Sequence, residues 1–131
     1  MAGTTADVID AGAGDDEVNG GANDDELNGG DGNDRLYGGD GNDKLSGDDG
    51  NDELAGENGD DILNGGAGDD KLYGGKGHDI LSGDAGNDHM EGGSYESDTY
   101  LFRAGHGRDI VSDYATQDEQ ADTLRFAGAQ L

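Results

Sequence analysis

The chain has 131 residues, 28 of them glycine and none proline or cysteine, and its 32 acidic residues face 7 basic ones for a formal charge of −25. That balance argues against nucleic acid and anionic membrane as partners, and the absence of cysteine excludes disulfide staples and thiolate metal sites. No apolar run approaches a membrane span, and the opening MAGTTADVID has neither the basic nor the apolar stretch of a secretory leader.

Only 30% of residues are apolar, and low hydrophobicity with high charge is the composition of a disordered chain. The order of the residues says otherwise. From the N-terminus, aspartate recurs every nine residues: Asp7, Asp16, Asp25, Asp34, Asp43, Asp52, Asp61, Asp70, Asp79 and Asp88. Two residues after each stands an apolar side chain: Ile9, Val18, Leu27, Leu36, Leu45, Leu54, Leu63, Leu72, Leu81 and Met90. Ten nine-residue units therefore cover residues 2–91, and two mid-chain units read GGDGNDKLS (38–46) and GDDGNDELA (47–55). Position 1 is Gly in eight units, position 2 in seven and position 4 in eight. Position 2 otherwise carries Asp48, Glu57 or Asp84. Position 4 otherwise carries Asn23, which tolerates positive φ, or Thr5, which does so poorly. Position 5 is mostly Asp or Asn, position 6 always Asp, and position 8 always apolar.

Each unit predicts a six-residue Gly/Asp/Asn turn followed by a three-residue strand with one inward apolar side chain. A strand so short needs an identical neighbour stacked on it, as in a solenoid. Two units then make one coil, with a strand on each of two facing parallel sheets. The outward position 7 of the even units runs Glu17, Arg35, Glu53, Lys71, His89, so stacking pairs opposite charges along a ladder. In the odd units Glu26 falls beside Lys44, and Ile62 beside Ile80. Stacking also brings Asp25 beside Asp43 on one edge and Asp34 beside Asp52 on the other. That is repulsive without a cation. With a hard cation it is a cage of carboxylate and carbonyl oxygens suited to calcium rather than magnesium. Metal binding coupled to folding supplies what the thin core lacks.

The repeat resembles the glycine- and aspartate-rich nonapeptide GGxGxDxUx of the RTX, or hemolysin-type, calcium-binding family. The resemblance covers residues 2–91. The following GGSYESDTYLF (92–102), GHGRDIVSDY (105–114) and DTLRF (122–126) resemble the family's C-terminal flanking region, with one residue inserted before Asp98. The resemblance implies an all-β fold, a parallel β-roll or right-handed two-sheet β-helix, with residues 92–131 as a C-terminal β cap. It implies about 7–9 calcium ions between the loops of alternate units. The ligands would be the position-6 aspartates, Asp98, and the backbone of Gly12, Gly14, Gly21, Asn23, Gly30, Gly32, Gly39, Gly41, Gly50, Gly59, Gly66, Gly68, Gly75, Gly77 and Gly86. Asp7 is the weakest, because its loop reads Ala2-Gly3-Thr4-Thr5-Ala6. The resemblance further implies a non-enzymatic monomer that type I secretion machinery exports unfolded and that folds outside the cell. The chain stops at Gln130-Leu131, soon after the cap, so it reads as a fragment of a larger exported toxin, enzyme or adhesin.

Other chemistries fit less well. A nine-residue period leaves no room for the helices of an EF-hand. His78, His89 and His106 lack zinc spacing and read as solvated surface residues. No GxSxG or phosphate loop occurs. Asp69-Asp70 resembles a glycosidase pair only in sequence, with no cleft implied. Position 3 is not the Thr ladder of an ice-binding solenoid. An adhesin or calcium-bridged glycan-binding module is the alternative function, with Tyr37 and Tyr73 sharing position 9 of the even sheet. In the cap, Phe102, Phe126, Tyr95, Tyr100 and Tyr114 concentrate beside the roll's last apolar side chains, Leu81 and Met90, as a plug would.

Overall fold

The computed structural model describes residues 5–93, 96–112 and 122–127. Its strands are β1 (Val8–Ala13), β2 (Glu17–Ala22), β3 (Glu26–Asp31), β4 (Arg35–Asp40), β5 (Lys44–Asp49), β6 (Glu53–Asn58), β7 (Ile62–Ala67), β8 (Lys71–Lys76), β9 (Ile80–Ala85), β10 (His89–Glu91), β11 (Thr99–Arg103), β12 (Ile110–Val111) and β13 (Thr123–Ala127). No helix occurs among the described residues. Odd strands stack in the order β1-β3-β5-β7-β9-β11-β13 and even strands in the order β12-β10-β8-β6-β4-β2. All pairings are parallel, and the chain alternates between the sheets, giving a β-solenoid of about six turns. The register within the repeats is one coil of 18 residues, as in Leu27↔Leu45 and Leu36↔Leu54.

The strands are longer than the repeat suggested. From β1 to β9 they run six residues, from position 7 through position 3 of the next unit, while β10 keeps the predicted three. The turn proper is only positions 4 to 6. The reason lies in the pleat: side chains alternate out, in, out, in along β5, and position 1 is the second inward site. The glycines there are strand residues, not turn residues. Left-handed backbone is confined to positions 2 and 4. Gly41 has φ 128°, and Asn23 adopts 82° at the equivalent place. At position 2, Asp48, Glu57 and Asp84 hold φ of 71°, 77° and 66° without being glycine. Two of them are braced by a serine two residues earlier: Ser46 Oγ donates to Asp48 Oδ1 and Ser82 Oγ to Asp84 Oδ1, both at 2.8 Å.

The core is a double file. Leu27, Leu45, Leu63 and Leu81 from the odd sheet face Leu36, Leu54, Leu72 and Met90 from the even sheet, none more than 2% exposed. Ile9 and Val18, at the first coil, are only partly buried. Beyond residue 91 the files continue. Tyr100 stacks on Leu81, Val111 on Met90, and Phe126 on Phe102, whose rings lie 4.9 Å apart. Tyr95 and Tyr114 lie outside the described residues.

The outer ladder has the expected register, Glu17↔Arg35↔Glu53↔Lys71↔His89 and Glu26↔Lys44. No ion pair closes along it among the described residues, because these long side chains stand in water and gain little by ordering. Tyr37 and Tyr73 flank Ala55 as the repeat required.

Candidate metal centre

Position 6 ends the turn and precedes the first outward strand residue, so its side chain enters the interior. From Asp25 to Asp98 these aspartates are 1–3% exposed, a burial carboxylates seldom accept. Each is tied to the coil before it. The Asp25 N–H donates to Asp43 Oδ1 at 2.7 Å, Asp34 N–H to Asp52 Oδ1 at 2.7 Å, and Asp61 N–H to Asp79 Oδ1 at 2.8 Å. The same bond starts at Asp7 and Asp16. It passes through Asp43, Asp52, Asp70 and Asp79 and reaches Asp98, where the spacing is 19 residues.

The second carboxylate oxygen is different. Oδ2 of Asp16, Asp25, Asp34, Asp43, Asp52, Asp61, Asp70, Asp79 and Asp88 is buried with no hydrogen-bond partner. An orphaned buried carboxylate oxygen is costly, and native proteins keep few of them. Here the defect repeats in every coil. The position-1 glycines make space for it: a Cβ on Gly20 would lie 2.7 Å from both Asp25 Oδ2 and the Gly38 carbonyl oxygen. Gly29, Gly38, Gly47, Gly56, Gly65, Gly74, Gly83 and Gly92 stand equally close to their own unit's carboxylate. The sequence reading missed this role. The signal was the near-invariance of position 1, which it credited to turn formation.

The electrostatics agree. Burial, less a contribution from the backbone N–H and with the charge of same-edge aspartates added, pushes the carboxyls of Asp61, Asp70 and Asp88 up to about 7 and that of Asp79 up to about 8. Asp43 and Asp52 are raised for the same reasons.

All the loop residues named from the sequence, from Gly12 to Gly86 and including Asn23, have positive φ. Their carbonyls face the next coil closely enough that a side chain on Gly30 or Gly32 would collide with the carbonyl of Gly12 or Gly14. Position 5 forms a second, exposed row in the opposite sense. Asn33 N–H donates to Asp15 Oδ1 at 2.8 Å, Asn42 N–H to Asp24 Oδ1 at 2.8 Å, and Asn51 N–H to Asn33 Oδ1 at 2.8 Å. This explains the Asp/Asn preference there, since only those side chains accept at that reach. On the even edge the two rows border an open groove of about 590 Å³. Among the described residues no three acidic or histidine side chains converge on one point. An ion at this edge therefore needs backbone carbonyls as well as carboxylates.

Two further aspartates join the rows, and the sequence reading did not select them. Asp88 N–H donates to Asp109 Oδ1 at 3.0 Å, and Asp98 N–H to Asp122 Oδ1 at 2.8 Å. Each still precedes by two a residue in register with the inward files, Val111 beside Met90 or Leu124 beside Tyr100. Their widened spacing hid them from a search at fixed period. The histidines lie at the surface, His78 exposed and His89 and His106 partly buried, yet each ring has a partner. His78 Nδ1 lies 2.9 Å from the Ser97 carbonyl, His89 Nε2 2.9 Å from Ser112 Oγ, and His106 Nδ1 3.1 Å from Asp109 Oδ2. All three sit where the regular coils meet the C-terminal strands.

Fold and site together define an acidic, repeat-built β-roll whose edges carry rows of inward carboxylates. More particularly, the RTX calcium-binding nonapeptide repeat matches residues 1–36, 19–54, 28–63, 37–72 and 64–94, and the chain belongs to that family. Among curated proteins none matches the chain. No helix among the described residues is long and apolar enough to cross a membrane.

Proposed function

We propose that this calcium-binding roll is a folding module without catalytic activity of its own, ordered by several calcium ions seated along its two edges. The observation that carries the reading is the row of buried, unpartnered Oδ2 atoms from Asp16 to Asp88. A divalent cation is the partner such oxygens lack, and the neighbouring backbone carbonyls supply the oxygen-rich surroundings calcium prefers. The residues that would hold it are the position-6 aspartates, with carbonyls of the left-handed loop residues and of the position-1 glycines. When bound, the ion supplies positive charge where like charges stack. Without it, raised carboxyl pKa values and the −25 charge oppose the compact state.

About seven to nine ions are expected, one for each pair of neighbouring same-edge units, less or more at the ends. The strands after residue 91 act as the cap that seals the core. The family's setting supports export of a larger parent protein and folding where calcium is abundant. Isothermal titration with calcium tests the reading. A multi-ion stoichiometry with a steep, cooperative isotherm is expected, and magnesium at equal concentration should do little. A single site, or several independent ones, contradicts it.

A further inference from the structure

Five aspartates on the even edge, Asp16, Asp34, Asp52, Asp70 and Asp88, have a buried, unpartnered Oδ2, and in the last four Oδ1 accepts the backbone N–H of the coil before. Asp109 is the next member of that row by its bond from Asp88 N–H. Its side chain is 2% exposed, yet its Oδ2 is not free, for His106 Nδ1 lies 3.1 Å away. The loop around it keeps the regular turn. Gly107 has the left-handed φ of position 4, 79°, and packs on the Gly86 carbonyl. Arg108 N–H donates to Asn87 Oδ1 at 2.9 Å, continuing the position-5 row. His106 therefore occupies position 3 of an otherwise ordinary unit.

Preceding even-edge units carry Ala13, Asp31, Asp49, Ala67 and Ala85 at that position. None of these side chains can donate to a carboxylate three residues on. On the odd edge Lys76 could, but Asp79 Oδ2 has no partner. The imidazole is also held in place: the Phe102 ring packs edge-on against it, with centroids 5.4 Å apart. Phe102 is itself buried and stacked on Phe126.

We infer that His106 is a built-in terminator of the even calcium row, its ring N–H standing at Asp109 Oδ2 where an ion stands at the preceding carboxylates. The Nδ1 tautomer follows from the acceptor it faces. The even edge thus ends on a turn that closes by its own hydrogen bond and needs no further metal. This rests on the calcium reading given above. What it adds is the place where the row stops and the side chain that stops it.

The test counts bound calcium by equilibrium dialysis on three variants of the full chain. Asp109→Asn keeps the Oδ1 acceptor and should leave the number of ions unchanged. Asp88→Asn, one coil earlier, should lose one. His106→Ala should gain one, because Asp109 Oδ2 is then open. Loss of an ion in Asp109→Asn, or no gain in His106→Ala, overturns the inference while leaving the calcium reading intact. An unchanged count in Asp88→Asn instead contradicts the calcium reading itself.

Discussion

Leu54→Ala, in the middle of the roll, measures how many ions are coupled to folding. Leu54 is fully buried between Leu36 and Leu72 on its own sheet. The carbons removed leave a cavity that a one-leucine-thick file cannot collapse around, which places the cost at about 3 kcal/mol within the usual range for such truncations. If about eight ions bind in one cooperative step, that cost is divided among them, and the calcium midpoint rises only about twofold, since about 1.4 kcal/mol per ion would be needed for tenfold. If a single ion were coupled, the same cost would move the midpoint more than about 100-fold. Far-UV circular dichroism during calcium titration gives the midpoint, and urea unfolding at saturating calcium gives the destabilisation independently. A loss of about 3 kcal/mol in urea together with a hundredfold midpoint shift would refute cooperative multi-ion folding.

Gly47→Ala should cost more than its lost backbone freedom suggests, because the new Cβ meets Asp52 Oδ2 and the Gly65 carbonyl; its calcium midpoint should rise well above that of Gly105→Ala, where a Cβ meets nothing, although that site's left-handed backbone adds about 1 kcal/mol of strain. Glu57→Gly should stabilise by about 1 kcal/mol in urea, since Glu57 holds φ 77° with no serine brace. The metal-free chain should gain strand signal on acidification. Carboxyls raised from 3.8 to about 7 or 8 in the fold, as at Asp61 and Asp79, stabilise it fully below about pH 4, and that stability is lost as pH rises through 7 to 8. A chelated sample equally unstructured at pH 4 and pH 7.5 contradicts this. Deleting residues 92–131 should abolish folding at calcium levels that fold the full chain, since it uncovers Leu81 and Met90.

Much of this was legible in the sequence because a repeat states the same constraint many times. One aspartate and one leucine per nine residues fixed the coil length, the parallel register and the two inward files. Left-handed backbone at Asn23 followed from its standing in for glycine. What the sequence did not convey has specific physical causes. Strand length was underestimated because Gly at position 1 reads as a turn residue, whereas Gly38 and Gly47 are strand residues that leave space for Asp43 and Asp52. The charge ladder has its register but not its ion pairs, since adjacency in water does not order Glu17 on Arg35. Asp109 and Asp122 escaped because loops of changed length break a periodicity search while leaving the backbone ladder intact. The role of His106 depends on a fold-back within a turn, which no spacing rule encodes.

The central claim is that the metal supplies the stability the sequence lacks. Far-UV circular dichroism at pH 7.5, in chelator and then in millimolar calcium, tests it most directly. The account predicts a disordered spectrum in chelator and a strand spectrum on adding calcium, reversed by chelator again. A full strand spectrum in the chelated sample would contradict it.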